Sequence, residues 1–248
     1  MKNIVLLLIL SLSLSCAQKR RKDKEVAYLH LQIGTKHLTQ KNYRAALTEF
    51  LTAAELDPKD PITHNNLGLT YFVLGDNENS RDQLTTAVEL DPNYSEARSN
   101  LGRVLSDMGN HSRAIEHFDI VIKDLTYPHP ERAWVNLGMA YFRLKKYSQA
   151  KKSFQRAISL DKTYCPAYIY FGRSIFEERH FSKAAEALDR AAQICREEAF
   201  EEAQYFAAMA YFKLGEKEKA VARMEEIVEL RPKSLYAKKS KEMLSKLR

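Results

Sequence analysis

The chain has 248 residues, 45% of them hydrophobic and 29% charged, with a formal charge of +7. That is enough apolar material for a continuous core and excludes a disordered or collagenous chain. Three cysteines exclude a disulfide-framework scaffold, and a basic excess spread along the chain is not the clustered footprint of a nucleic-acid binder.

The N-terminus stands apart from the rest. Met1-Lys2-Asn3 is a short positive stretch, and residues 4–14 are apolar, interrupted only by serines. Eleven residues are too few to span a bilayer as a helix, which takes about 20. The layout is that of a secretory signal peptide over 1–15. It ends at Ser13-Leu14-Ser15-Cys16-Ala17, which resembles a bacterial lipobox with Cys16 as the lipidated residue. Ser13 departs from the aliphatic residue usual at that place. Ser15 and Ala17 also fit an ordinary small-x-small cleavage site and a soluble periplasmic product. By resemblance to lipoprotein sorting, Ala17 in place of Asp implies the outer membrane. Residues 16–25, with Lys19, Arg20, Arg21, Lys22 and Lys24, read as a basic tether. It is either a solvated spacer or a segment drawn to anionic headgroups.

From residue 26 onward one phrase recurs. Small residues at Gly34, Gly68, Gly102, Gly138, Gly172 and Ala208 are spaced 34, 34, 36, 34 and 36 apart. A second small set follows at Ala46, Ser80, Ala114, Ala150, Ala184 and Ala220, and a large set at Phe50, Leu84, Phe118, Phe154, Leu188 and Met224. A period of this length is the signature of tetratricopeptide helix hairpins. The small places let two helices approach, and the large residues fill the space between them. The predicted fold is all-α, a right-handed superhelical solenoid of six hairpins over 27–60, 61–94, 95–128, 131–164, 165–198 and 201–234. In the first, helix A covers 26–39 and helix B 43–56. Pro58, Pro92 and Pro232 end B helices, because proline excludes helix from the residue before it. A helix over 235–247, with Leu235, Tyr236, Met243 and Leu244 at helical spacing, caps the last face, as a solenoid requires. The whole of 26–248 is one solenoid.

Cys165 opens helix A of the fifth hairpin and Cys195 closes its helix B. The ends of an antiparallel pair lie side by side, so they form a disulfide in an oxidising compartment or remain two buried thiols.

No catalytic constellation is present: no HExxH, no zinc-spaced Cys/His set, no P-loop and no GxSxG. The chain reads as a protein-binding array, not an enzyme, with no cofactor, metal, nucleic acid or small-molecule substrate. The partner surface expected is the concave face of the A helices. It comprises Leu31, Asn65, Asn66, Leu69, Phe72, Asn100, Arg103, Asn136, Met139 and Phe142. Asn66, Asn100 and Asn136 repeat at one place of three successive hairpins. Each carboxamide donates and accepts, so a ladder of them can pair with the backbone of an extended segment. Alternatively, the carboxamides bond between neighbouring hairpins and the apolar side chains cover one another.

A more specific resemblance lies in the long third-to-fourth connection, Tyr127-Pro128-His129-Pro130-Glu131-Arg132-Ala133 before Asn136-Leu137-Gly138. With the lipobox-like Cys16, six hairpins and a cap, it is similar to the tetratricopeptide lipoproteins of type IV pilus biogenesis. That resemblance implies a pilotin: an outer-membrane-anchored protein on the periplasmic face that captures a secretin segment and promotes secretin assembly. The other reading with the same anchor and groove is a general periplasmic adaptor for a protease or a peptidoglycan-remodelling enzyme.

Overall fold

The computed structural model describes residues 2–195 and 199–247, with side chains from residue 18 onward. Among them it is all-helical, with thirteen helices and no strand. Residues 1–109 and 110–248 form two compact units. The first holds α1 (Lys2–Thr39), α2 (Tyr43–Leu56), α3 (Pro61–Val73), α4 (Asn77–Leu90) and α5 (Ser95–Asp107). The second holds α6 (His111–Val121), α7 (Pro130–Arg143), α8 (Tyr147–Leu160), α9 (Cys165–Glu177), α10 (Phe181–Ile194), α11 (Phe200–Leu214), α12 (Lys217–Leu230) and α13 (Leu235–Leu247).

Hairpin packing follows from the small places. A Cβ added at Gly34 would lie 2.6 Å from the Phe50 ring, and one at Gly138 would lie 2.6 Å from Phe154. Both rings are fully buried, so they fill the room that a missing side chain leaves. In the first unit Leu31, Ala46, Phe50, Ala53 and Leu67 form one cluster, which ties α1 and α2 to α3. In the second, Val135, Ala150, Phe154, Ala157 and Ala167 do the same for α7, α8 and α9.

The A-to-B turns repeat one hydrogen-bond pattern. The amides of Asn42, Asp76, Lys146, His180 and Glu216 each bond a carbonyl five residues back, at 2.9–3.2 Å. This closure needs a left-handed residue just past the helix. Gly75 and Gly215 fill that place freely, but Lys41, Lys145 and Arg179 also adopt it, with φ of 62°, 59° and 65°. The B-to-A turns use aspartate and proline. The Asp60 carboxylate accepts from the amides of Ile62 and Thr63, and Pro61 occupies the first turn of α3. In the longer 122–129 connection, Asp124 accepts from the Thr126 amide and hydroxyl at 2.9 and 2.6 Å.

One boundary and one buried face differ from the sequence reading. The first helix does not start at 26, since α1 continues back through the basic 16–25 segment. No proline or glycine interrupts that stretch. Arg21 pairs with Glu25 one turn on at 3.2 Å, and Lys24 reaches Asp57 at 3.0 Å. The segment shows no apolar period, which is why pattern alone left it outside the fold. In α13 the buried side chains are Ala237, Ser240 and Leu244, with Met243 and Leu247 against them, while Leu235 is exposed.

Candidate partner-binding faces

Each unit has an inner face made by its A helices, and the two differ in chemistry. In the first unit the face is built on α1, α3 and α5. Asn100 donates from Nδ2 to Asn65 Oδ1 at 3.0 Å, Asn65 donates to Asn66 at 3.3 Å, and Asn66 donates to the Thr35 hydroxyl at 3.4 Å. Three neighbouring A helices are thus joined by carboxamides. Arg103 extends the chain, with Nη1 3.5 Å from Asn100 Oδ1 and its guanidinium 5.3 Å from the centroid of the Phe72 ring. Leu69 and Phe72 flank this network, half-buried, and Arg103 is exposed.

Leu31 and Asn65 do not face a groove. Both are buried, and so are Ser99, Val135 and Ile169 at the same place of later hairpins. That place points into the seam between successive hairpins, where Leu31 meets Leu67 and Asn65 meets Asn100. The Asn66 and Asn100 side chains therefore bond within the protein. Each keeps a second amide hydrogen, because a carboxamide carries two.

In the second unit the inner face is aromatic. Phe142 of α7 lies edge-on to Tyr170 of α9 at 5.8 Å, and Tyr170 stacks on the buried Phe154 at 5.9 Å. Phe176 meets Phe206 at 6.3 Å, and Tyr205 and Phe206 of α11 meet Tyr236 of α13 at 5.4 and 6.4 Å. Edge-on and offset arrangements of this kind are favoured by the ring quadrupoles. Arg173 sits in the middle. Its guanidinium is 4.2 Å from the Phe206 centroid, 4.8 Å from Tyr170 and 5.3 Å from Phe142, and Nη1 pairs with Glu202 at 2.7 Å. Burial and the Glu202 carboxylate push the Tyr236 hydroxyl above the usual tyrosine range, so it stays neutral. Asn136, Met139 and Phe142 are half-buried on this face. The sequence places Tyr170, Arg173 and Phe206 on the A-helix face, but three rings closing on one cation is a matter of side-chain direction, which spacing does not give.

His30 and His64 are packing groups. His30 bonds Glu49 at 2.7 Å, and His64, 34 residues on, bonds Gln83 at 2.8 Å and the Pro58 carbonyl at 3.0 Å. Among the described residues no group of three or more His, Cys, Asp or Glu side chains could hold a metal ion. Cys165 and Cys195 are joined as a disulfide, with Cα atoms 5.3 Å apart. Cys16 lies outside the described side chains.

Sequence profiles of the tetratricopeptide repeat match residues 34–75, 63–94, 84–116, 131–164 and 201–234. The chain is 23% identical over 175 residues to the type IV pilus assembly protein PilF of Pseudomonas aeruginosa, covering 71% of this chain and 69% of that protein. The solved structure of Pseudomonas aeruginosa PilF superposes with a TM-score of 0.74 at 20% identity, covering 91% of this chain and 99% of the other. That of PilW, described as a widely conserved type IV pilus biogenesis factor, superposes with a TM-score of 0.79 at 19% identity, covering 86% and 97%.

Proposed function

Because the chain is a tetratricopeptide-repeat protein, we propose that it binds a protein segment on an inner face and acts in type IV pilus biogenesis, as a pilotin for the secretin. In this reading Cys16 is lipidated, the protein is held at the periplasmic face of the outer membrane, and the captured segment belongs to the secretin. The observation that carries it is the relation to PilF over most of both chains, with the PilF and PilW folds matched almost end to end.

The first unit offers the chemistry for an extended segment. Asn66 and Asn100 hold amide hydrogens on two adjacent hairpins of one face, and Leu69 and Phe72 supply apolar contact beside them. Arg103 provides a cation for a carbonyl or carboxylate. An extended chain is captured by main-chain hydrogen bonds, with side-chain pockets for register. Replacing Asn100 would disturb the buried Asn65 as well as the face, so the cleaner test leaves the carboxamides in place. Leu69→Ser with Phe72→Ala should abolish co-purification of the secretin while the melting temperature stays within a few degrees. In a strain lacking the protein, secretin multimers resistant to heat and detergent should vanish while monomer persists. Multimers that form and localise normally would reject the pilotin role and leave the adaptor reading.

A further inference from the structure

We propose that the outward face of α1 is a docking surface for an anionic lipid bilayer. Lys22, Val26, Leu29, Ile33 and Lys36 follow one another at steps of four, three, four and three, which places them on one face of the helix. The stripe is about 21 Å long at 1.5 Å per residue. The opposite face, with Ala27, Leu31, Gly34 and Leu38, is the one that packs into the first hairpin.

Val26, Leu29 and Ile33 are 43%, 55% and 44% exposed. The counterparts of Leu29 and, with one exception, of Ile33 in later hairpins are covered. The place of Leu29 recurs as Thr63, Ala97, Ala133, Ala167, Ala203 and Ala237, none above 2%. The place of Ile33 recurs as Leu67, Leu101, Leu137 and Ala207, none above 4%, and as Phe171, which is half-buried. What covers them is the preceding B helix: Ala203 packs with Ala191, Ala192 and Cys195, and Ala167 with Ala157. Among the described residues no B helix packs on this face of the first hairpin, so an apolar strip is left for another surface.

Shape and charge choose the occupant. A helix docked as the B helices dock would need a small residue at the place of Leu29, because every covered counterpart is Ala or Thr. Leucine there holds such a helix off. A second copy of α1 laid antiparallel on the stripe would set Lys22 of one chain against Lys36 of the other, like charge against like. A bilayer surface makes neither demand. It accepts Val, Leu and Ile at the acyl boundary, while Lys22 and Lys36 at the two ends extend to headgroup phosphates. Lys19 and Arg20 on the same helix add to the attraction against one acid unpaired among the described residues, Asp23, while Arg21 is taken up by Glu25 at 3.2 Å and Lys24 by Asp57 at 3.0 Å. The inference depends neither on the secretin reading nor on lipidation of Cys16.

The chain has a single tryptophan, Trp134, so a reporter can be moved. Leu29→Trp in a Trp134→Phe background is compared with Thr48→Trp, on the exposed side of α2. Both are bound as full chain to phosphatidylglycerol–phosphatidylethanolamine vesicles brominated near the headgroup. Co-flotation alone decides nothing, since residues 4–14 can hold the chain on a vesicle; depth at residue 29 decides. The expected result is strong quenching of L29W, little of T48W, and loss of the L29W quenching when Lys22→Glu and Lys36→Glu are added. Unquenched L29W in vesicle-bound protein overturns the proposal, and so does equal quenching of the two reporters. L29W emission that shifts to the blue with protein concentration, without lipid, also overturns it and assigns the stripe to a second copy.

Discussion

The inner faces of the two units solve one packing problem with opposite chemistry. Between α1, α3 and α5 the contacts are carboxamide to carboxamide, directional and dependent on pairing at about 3 Å. Between α7, α9, α11 and α13 they are ring to ring, with Arg173 held by three arenes and one carboxylate. The first arrangement is sensitive to loss of one partner, because a buried amide left unpaired costs about 1–3 kcal/mol. The second is diffuse, with many contacts each worth about 0.5–1.5 kcal/mol. The same scaffold position is therefore fragile to point changes in one unit and tolerant in the other. A face that keeps free hydrogen-bonding capacity is the better candidate for reading a main chain.

The largest effect should come from the core beneath the aromatic face. Phe154→Ala removes the ring that fills the space opposite Gly138 and supports Tyr170, and should cost about 3–5 kcal/mol in denaturant unfolding. Next is the Cys165–Cys195 bond, which closes a loop of 30 residues by sequence separation. Cys165→Ala with Cys195→Ala should cost about 2–4 kcal/mol, read as a lower denaturation midpoint of the second unit with the first unchanged. Asn100→Ala, which orphans the buried oxygen of Asn65, should cost about 1–3 kcal/mol. Asn136→Ala, one hairpin on, should stay within about 0.5 kcal/mol. Equal costs for the two asparagines would erase the distinction between the faces. Arg173→Met strips the cation from its rings and leaves Glu202 without its counter-charge, held by the Tyr236 hydroxyl. A double-mutant cycle with Phe206→Leu should return a coupling of about 0.5–2 kcal/mol.

The hairpins were legible because each small residue reports a close helix approach and each large one the space beside it. Gly34 with Phe50 and Gly138 with Phe154 are such pairs, and α2 and α13 begin and end where pattern placed them. The inner face was legible only as a set of places. Leu31 and Asn65 read as groove residues because a helical wheel counts what points away from its own partner helix. It does not count the seam with the next hairpin, which only the stacking creates. The closing of the aromatic rings on Arg173 escaped for a related reason, although the A-helix places of Tyr170 and Phe206 were legible. Tyr170, Phe206 and Tyr236 lie on three different helices, and no window of sequence brings them together. The start of α1 escaped because polar helical stretches carry no period. Its continuity rests on propensity and on two ion pairs, Arg21–Glu25 and Lys24–Asp57.

The smallest expected effect lies in the turns, and it tests whether the two units share a backbone rule despite their different faces. Lys41 in the first unit and Lys145 in the second hold the left-handed place that Gly75 and Gly215 hold elsewhere. A side chain there costs about 1–2 kcal/mol from the clash of Cβ with the following carbonyl. Glycine removes that clash but returns freedom to the unfolded chain, worth roughly 0.5–1 kcal/mol the other way. The difference leaves Lys41→Gly and Lys145→Gly each stabilising by about 0–1.5 kcal/mol, because the closing bonds from Asn42 and Lys146 are kept. The reverse change, Gly75→Lys, should destabilise by the same amount. Thermal melts of the three variants decide it: if Lys145→Gly lowers the midpoint, the lysine is held by contacts other than the turn itself, and the strain assigned to it is not there.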